Sequence, residues 1–358
     1  MAVSQTRSQP HPVEVVDPAQ ADRLDGFVIR AQAAAKSFRR LDQDAVDAIV
    51  WAMVVAGLES AFELAQLAME ETQFGVLEDK VVKNYIATEF LYDYLKDKPS
   101  VGVIEEDPKH GIQRVAEPIG VVLALLPITN PTSTALFKSI VAAKTRNAII
   151  FRPSARAARC AARAIEILQG AGETAGLPPG ALQVVPDATL DVSQYLFHHD
   201  GIDLIWTTGG PKAVAAANAA GKPSLSVGAG NAPVYLHHSA DIGMAVVDML
   251  ISKTFDASVI CPAEQTCVVD EAIYDDVVKE FERLGGQLLD PDQVEALANL
   301  AFEPDGRVDA RALGQSCVNL GAMGGFKVDE GVKVLLAPLP SALGELADHA
   351  LIQEKLTP

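Results

Sequence analysis

The chain has 358 residues, is 49% hydrophobic and carries a formal net charge of −18. That length buries a sizeable core and suggests two or three globular units, while the acidic balance repels nucleic-acid backbones and anionic membrane surfaces. Met1–Pro12 is polar and no uncharged apolar run reaches membrane-spanning length, so a reducing cytoplasm is the expected setting, with neither nucleic acid nor membrane as partner.

Residues 1–18, with Pro10, Pro12 and Pro18, read as a flexible leader. From Ala19 to about Asp97 apolar residues recur at three and four, as in Val46, Ile49, Val50, Met53, Val54 and Leu58, which predicts two or three packed helices. The register then changes. Pro118–Pro127 is a nearly continuous apolar run that suits a strand buried on both faces, and Ala148–Phe151 is a second. Between them Thr132–Lys144 is helix-like, and Ser154 is a candidate N-cap for a helix running to about Gly170. Strands near Leu182–Val185, Leu204–Thr207 and Pro233–Leu236 alternate with helices near Leu190–Phe197 and Pro211–Ala220. This alternation implies a doubly wound parallel sheet of Rossmann type, with ligands bound beyond the carboxyl ends of its strands. A helix at Asp241–Thr254, a strand at Thr266–Val269 and Gly-rich loops at Gly285-Gly286 and Gly321–Gly325 make a second α/β region. The expected division is thus 19–240 for the N-terminal helices and nucleotide-binding domain, and 241–358 for a second domain.

Four cysteines (Cys160, Cys261, Cys267 and Cys317) form no CxxC pair and the seven histidines show no ligand spacing, so no metal is expected. The adjacent pairs His198-His199 and His237-His238 would diverge in a strand and read instead as solvated loop residues. Cys160 and Cys267 read as packing residues, and Cys317 is left without a role.

Three loops at predicted strand ends carry the chemical signal. Leu126-Pro-Ile-Thr-Asn130 follows the first buried strand, and an Asn amide there can donate to an oxyanion. Taken alone, it is equally an Asn-Pro turn. Thr207-Thr-Gly209-Gly210-Pro211 lets backbone approach a pyrophosphate at a helix N-terminus, although it lacks the GxGxxG spacing. Ser226-Val-Gly228-Ala-Gly230-Asn231 permits close backbone approach or simply a tight turn. Cys261, in the small-residue turn after Ser252-Lys-Thr-Phe-Asp256, can be a nucleophile or a packing thiol.

These loops, together with Glu78-Asp-Lys-Val-Val-Lys-Asn84, Glu117-Pro-Ile-Gly120, Lys144-Thr-Arg-Asn-Ala148 and Ile260-Cys-Pro-Ala-Glu-Gln265, resemble the aldehyde dehydrogenase superfamily. The likeness runs from about Ala19 to Pro358. It is greatest to the CoA-acylating branch, in the aldehyde dehydrogenase half of bifunctional aldehyde–alcohol dehydrogenases. The resemblance implies an aldehyde dehydrogenase-like fold, and a catalytic domain at 241–358 that family members continue beyond Pro358, so the chain reads as C-terminally truncated. It implies Cys261 as nucleophile, with Asn130 and the Cys261 N–H stabilising the oxyanion. Leu125, Leu126, Pro127, Ile128, Thr129 and Asn130 would run past a nicotinamide cofactor. Gly209 and Gly210 would face its pyrophosphate, Gly228 would lie near the nicotinamide, and Glu354 would bind the adjoining ribose. Arg152 stands where many relatives place a ribose-binding Lys; it also attracts a 2′-phosphate, so NAD is the expectation and NADP stays open.

Coenzyme A is the implied co-substrate. Hydrolytic relatives carry Glu in a Glu-Leu-Gly-Gly segment where this chain has Ser226-Val-Gly-Ala, and serine does not activate water near neutral pH. The expected reaction is oxidation of acetaldehyde, or a similar short aldehyde, to acyl-CoA and its reverse, as part of alcohol metabolism and carbon utilization. The alternatives are hydrolytic oxidation to the free acid and a non-catalytic fragment that keeps the nucleotide fold. The parent is expected to be a homo-oligomer, and fusion to an iron-dependent alcohol dehydrogenase domain is left open.

Overall fold

A computed structural model describes residues 16–186, 189–303, 307–340, 343–347 and 349–358. The expected leader falls outside the described residues as far as residue 15. The chain forms two compact units: one from the residues up to Leu64 with Asn84–Gly228, the other from Ala65–Lys83 with Ala229–Pro358.

The first unit opens with helices Pro18–Phe38 and Gln43–Glu59. Asp17 caps the first by accepting from the Gln20 N–H, with Pro18 pre-set for the first turn, and Asp42 caps the second through the Ala45 N–H. Leu24, Val28, Ala31, Ala34 and Phe38 are buried in succession, the three-to-four spacing of a single helix face. Helices Ala61–Thr72 and Leu77–Tyr85 come next in the chain and hold most of the Ala65–Lys83 segment, which belongs to the second unit; back in the first unit, a π-helical turn Ile86–Phe90 and Leu91–Leu95 continue the latter. Strands β1 (Gly102–Asp107) and β2 (Ile112–Ala116) then form an antiparallel hairpin.

The sheet of this unit has five strands, β3 (Val121–Leu125), β4 (Ala148–Arg152), β5 (Leu182–Val184), β6 (Leu204–Thr208) and β7 (Ser224–Val227), in the order β5-β4-β3-β6-β7. Every neighbouring pair in it is parallel. The order reverses direction at β3, as a doubly wound sheet requires. All five residues of β3 are buried, which explains its unbroken apolar run.

Helices Pro131–Lys144, Ala158–Thr174, Leu190–His198 and Pro211–Ala219 complete the crossovers. Ser154 departs from expectation. It precedes only a 3-10 turn, Ala155–Ala157, and makes no side-chain cap; the extended φ of Ala157 interrupts the helix, which starts at Ala158.

The second unit holds two small parallel sheets, β8 (Ala232–Leu236) with β9 (Glu264–Val269), and β10 (Gly286–Leu288) with β11 (Val334–Leu336). The Pro233–Leu236 strand therefore leaves the five-stranded sheet, whose last place goes to β7. Gly321–Gly324 is not a loop either: it ends helix Cys317–Gly324, which Ser316 caps through the Asn319 N–H. Leu236, Val246, Met249, Val277 and Phe281 form one core here, and Leu289, Val294, Leu297, Leu320 and Leu351 another.

Candidate functional site

In the first unit, strand register gathers the expected cofactor residues on one sheet edge. Leu125 pairs with Arg152 and with Thr207, and Thr208 pairs with Val227. The segments that follow, Leu126–Asn130, Gly209-Gly210 and Gly228, thus leave the carboxyl ends of adjacent strands. The Leu126 N–H donates to the Arg152 carbonyl at 3.1 Å, and the Gly209 N–H to that of Val227 at 3.1 Å. Asn130 precedes helix Pro131–Lys144 without capping it, and its Nδ2 donates to Thr129 Oγ1 at 3.1 Å. Gly210 sits at the N-cap of helix Pro211–Ala219, and a Cβ built on it meets nothing within 4 Å. Arg152 closes β4, donates to the Thr189 carbonyl at 3.2 Å, and is held below the usual guanidinium range by burial.

Lys138 was missed by sequence reading. Its ammonium, 1% exposed, donates to the Leu125 and Trp206 carbonyls at 2.9 Å each and lowers onto the seam between β3 and β6. Burial brings its pKa down to about 7. The Ser226 and Thr207 hydroxyls, paired in register across β6 and β7, are enclosed without a hydrogen-bond partner. Ser226 thus lies within a strand, and its side chain carries no carboxylate.

In the second unit, helix Ile242–Thr254 ends in an irregular turn that leads to Cys261. Asp256, Ala257 and Ser258 take φ values of 50°, 51° and 65°, three successive non-glycine residues in the left-handed region. Such conformations persist only where surrounding contacts impose them. Here Asp256, fully buried, supplies the contacts. Its Oδ1 accepts from the Val76 N–H at 2.6 Å, and its Oδ2 accepts from Lys80 at 3.0 Å and from Lys83. Its own N–H donates to Asp79 at 2.7 Å.

Cys261 is half-buried. Burial and the Glu354 carboxylate push its thiol up, while Lys83 and a backbone N–H pull it down. Glu354 Oε1 accepts from the Gly230 N–H at 2.9 Å, and burial raises that carboxyl too. Gly230 is obligatory at this point, since a Cβ would overlap the Cys261 carbonyl oxygen. Gln265 Oε1 accepts from the Lys355 N–H at 3.1 Å and from Lys253 Nζ at 3.2 Å, fastening residues near Glu354 beside the same turn. Of the expected site residues, then, Cys261 and Glu354 come together in this unit, whereas Asn130 and the other cofactor positions belong to the first.

One expectation about side chains holds and another is overturned. His237 and His238 are exposed in the turn after β8, as expected, with their ring centroids 3.8 Å apart. Among the described residues they and Asp270 are the group that most resembles a ligand set. Asp270, however, already accepts from Tyr235 Oη at 2.7 Å and from the His238 N–H at 2.7 Å, and lies 3.0 Å from the His238 ring; it clamps two strand ends. Cys267 is exposed on β9 rather than packed. Cys160 is fully buried as expected, and Cys317 is buried as well.

The model of the aldehyde dehydrogenase family matches residues 6–289. The bifunctional aldehyde-alcohol dehydrogenase of Escherichia coli is 39% identical over 94% of this chain, which spans 37% of that protein's length. The acetylating succinate-semialdehyde dehydrogenase of Clostridium kluyveri is 32% identical over 93% of this chain and 72% of its own. The crystal structure of an acetylating aldehyde dehydrogenase from Geobacillus thermoglucosidasius superposes with a TM-score of 0.89 at 38% identity, covering 94% of this chain and 74% of that one. With its sheet order, its Cys261 turn and a family match over most of its length, the chain belongs to the aldehyde dehydrogenase family.

Proposed function

We propose that the protein is a CoA-acylating aldehyde dehydrogenase acting on acetaldehyde or a similar short aldehyde, with NAD as oxidant. The observation that carries this reading is the setting of Cys261: a half-buried thiol on an imposed turn, flanked by Glu354 and Lys83. A nicotinamide cofactor fits the first unit's sheet edge, where the open backbone at Gly210 begins a helix and Leu125–Asn130 leaves β3. Gly209, Gly210, Arg152 and the Leu125–Asn130 segment would hold it, with Gly228 near the ring. The bound cofactor supplies the hydride acceptor.

The Cys261 thiolate attacks the aldehyde carbonyl, forming an S–C bond and a tetrahedral alkoxide, a charge that the Cys261 N–H would stabilise. Loss of hydride from that carbon leaves a thioester on Cys261. The thiol of CoA then adds to the thioester and expels the Cys261 thiolate, releasing acyl-CoA. One thioester replaces another, so the step runs in both directions. Ser226 favours this outcome over hydrolysis, because no carboxylate stands at that position to take a proton from water. The proposed setting is a reducing cytoplasm, in keeping with four cysteines that form no disulfide. The proposed domain roles are cofactor binding in 19–240 and catalysis in 241–358.

NADH formation from acetaldehyde with and without CoA tests the reading. Turnover is expected to require CoA and to fall by at least about a thousandfold in Cys261→Ala. Equal steady-state turnover without CoA would overturn the acylating assignment. Undiminished turnover in Cys261→Ala would overturn the nucleophile.

A further inference from the structure

Strands β8 and β9 run parallel with Leu236 opposite Val269, and the Asp270 N–H donates to the Leu236 carbonyl at 3.0 Å. His237, His238 and Asp270 are therefore the first residues beyond the carboxyl ends of two hydrogen-bonded strands. Histidine spacing along the chain does not reveal the group, because its carboxylate lies 32 residues beyond His238. We propose that these three side chains form a binding site for a divalent transition-metal ion of the zinc type, which ties the ends of β8 and β9 together.

The first support is distance. A ring nitrogen of each histidine and a carboxylate oxygen of Asp270 lie within 4.8 Å of one another, and His238 Nδ1 is 3.0 Å from Asp270 Oδ2. Two ligands on one tetrahedral zinc, each bonded at about 2.0–2.1 Å, stand roughly 3.4 Å apart. The histidines are exposed, so rotation of their side chains closes the remaining gap without moving the strands. The second support is the donor set. Two imidazoles with one carboxylate suit zinc, nickel or copper, whereas magnesium and calcium call for oxygen ligands.

The third is the way the donors are held. Tyr235 Oη donates to Asp270 Oδ1 at 2.7 Å and the His238 N–H to Oδ2 at 2.7 Å. These bonds fix the carboxylate and keep it ionised, below its usual range. The His237 ring is steadied by Ser239, whose N–H donates to Nδ1 at 3.3 Å and whose Oγ lies 2.8 Å from it. Nor do the bonds to Asp270 exhaust it. An ionised carboxylate offers about four lone-pair sites, of which Tyr235 Oη, the His238 N–H and the His238 ring take three. The ion would replace the proton between His238 Nδ1 and Asp270 Oδ2. That imidazole then keeps its single proton on Nε2.

The test is calorimetric titration of Zn2+ into protein whose accessible thiols have been blocked with iodoacetamide, at pH about 7.5, where imidazole is neutral. Thermal melting with and without Zn2+ accompanies it. The wild type is expected to bind one ion that the double variant His237→Ala/His238→Ala does not, and to gain melting temperature on binding it. His238→Ala and Asp270→Asn are each expected to weaken that binding by at least about tenfold. Mg2+ in place of Zn2+ is expected to give no such event. Equal zinc stoichiometry and affinity in the wild type and the double variant would overturn the site. Undiminished affinity in a folded Asp270→Asn would overturn the three-ligand assignment. If Asp270→Asn does not fold, the two histidine variants decide, since exposed rings can be removed without disturbing a core. With the thiols blocked, the outcome does not depend on whether Cys261 is the nucleophile.

Discussion

At Gly230 a methyl group would have to take the place of the Cys261 carbonyl oxygen, so Gly230→Ala must push the nucleophile's own backbone aside. The expected result is a loss of about 1–3 kcal/mol in urea unfolding, as for other forced overpacking, together with slower alkylation of Cys261; unchanged stability and reactivity would contradict it. Sequence reading singled out Cys261 and Asn130 in short local motifs that also suit a packing thiol and an Asn-Pro turn, and singled out Glu354 only through the family resemblance. Lysines were another matter. Lys83, Lys138, Lys253 and Lys355 are all buried or half-buried, against the ordinary expectation that lysine faces water. The Lys83 partner, Asp256, lies 173 residues along the chain, a distance no spacing rule spans. Lys138 alone left a trace, as the one charge in the apolar run Ala135-Leu-Phe-Lys-Ser-Ile-Val-Ala-Ala143.

The entry to β3 shows the same logic at the level of an element. Asp203, just ahead of β6, accepts the Val121 N–H at 2.8 Å, and Gly120 before it adopts φ +131° with no room for a Cβ beside that carboxylate. Gly120→Ala is therefore expected to destabilise the first unit by about 1–3 kcal/mol, a loss that denaturant unfolding followed by Trp206 fluorescence would register. An equally stable variant would show that the strand entry tolerates another geometry. Strands β3 and β4 were legible because burial on both faces writes a continuous apolar run. Edge strand β7 was not: Ser224-Leu-Ser-Val227 alternates between half-buried and exposed residues, and its serines and following glycines imitate a turn. Once β7 fills the sheet, β8 pairs with β9 instead, a choice fixed by long-range contacts rather than by local pattern. The Gly321–Gly324 helix was hidden for the opposite reason, since its glycines argue against a helix that tertiary packing supports.

For the molecule as a whole, buried lysines set the response to pH. Lys138 and Lys253 are held down to about 7, and Lys83 and Lys355 to about 8, against 10.5 in the unfolded chain. Below those values both states carry the proton and the burial cost is undiminished. As pH rises, the folded protein releases protons that the unfolded chain still binds, so stability grows. A gain on the order of 1 kcal/mol is expected between about pH 7 and 8.5, measured by urea unfolding at the two pH values; a flat or falling profile would refute it. At higher pH the trend reverses, because Cys317 and Tyr195, both raised to about 12, keep protons that the unfolded chain has lost. The division of the chain has a different consequence, one of timing. Residues 65–83 are synthesised early, but they belong with residues 229–358. At ordinary translation speeds the 173 residues from Lys83 to Asp256 take roughly 10–35 s to make, and throughout that interval the ammonium awaits its counter-ion. Nor can one cut separate the units for independent expression: a break after Gly228 strands 65–83 on the wrong piece and leaves Asp256 without its two lysines. The second unit is expressible by itself only if 65–83 is grafted back onto it.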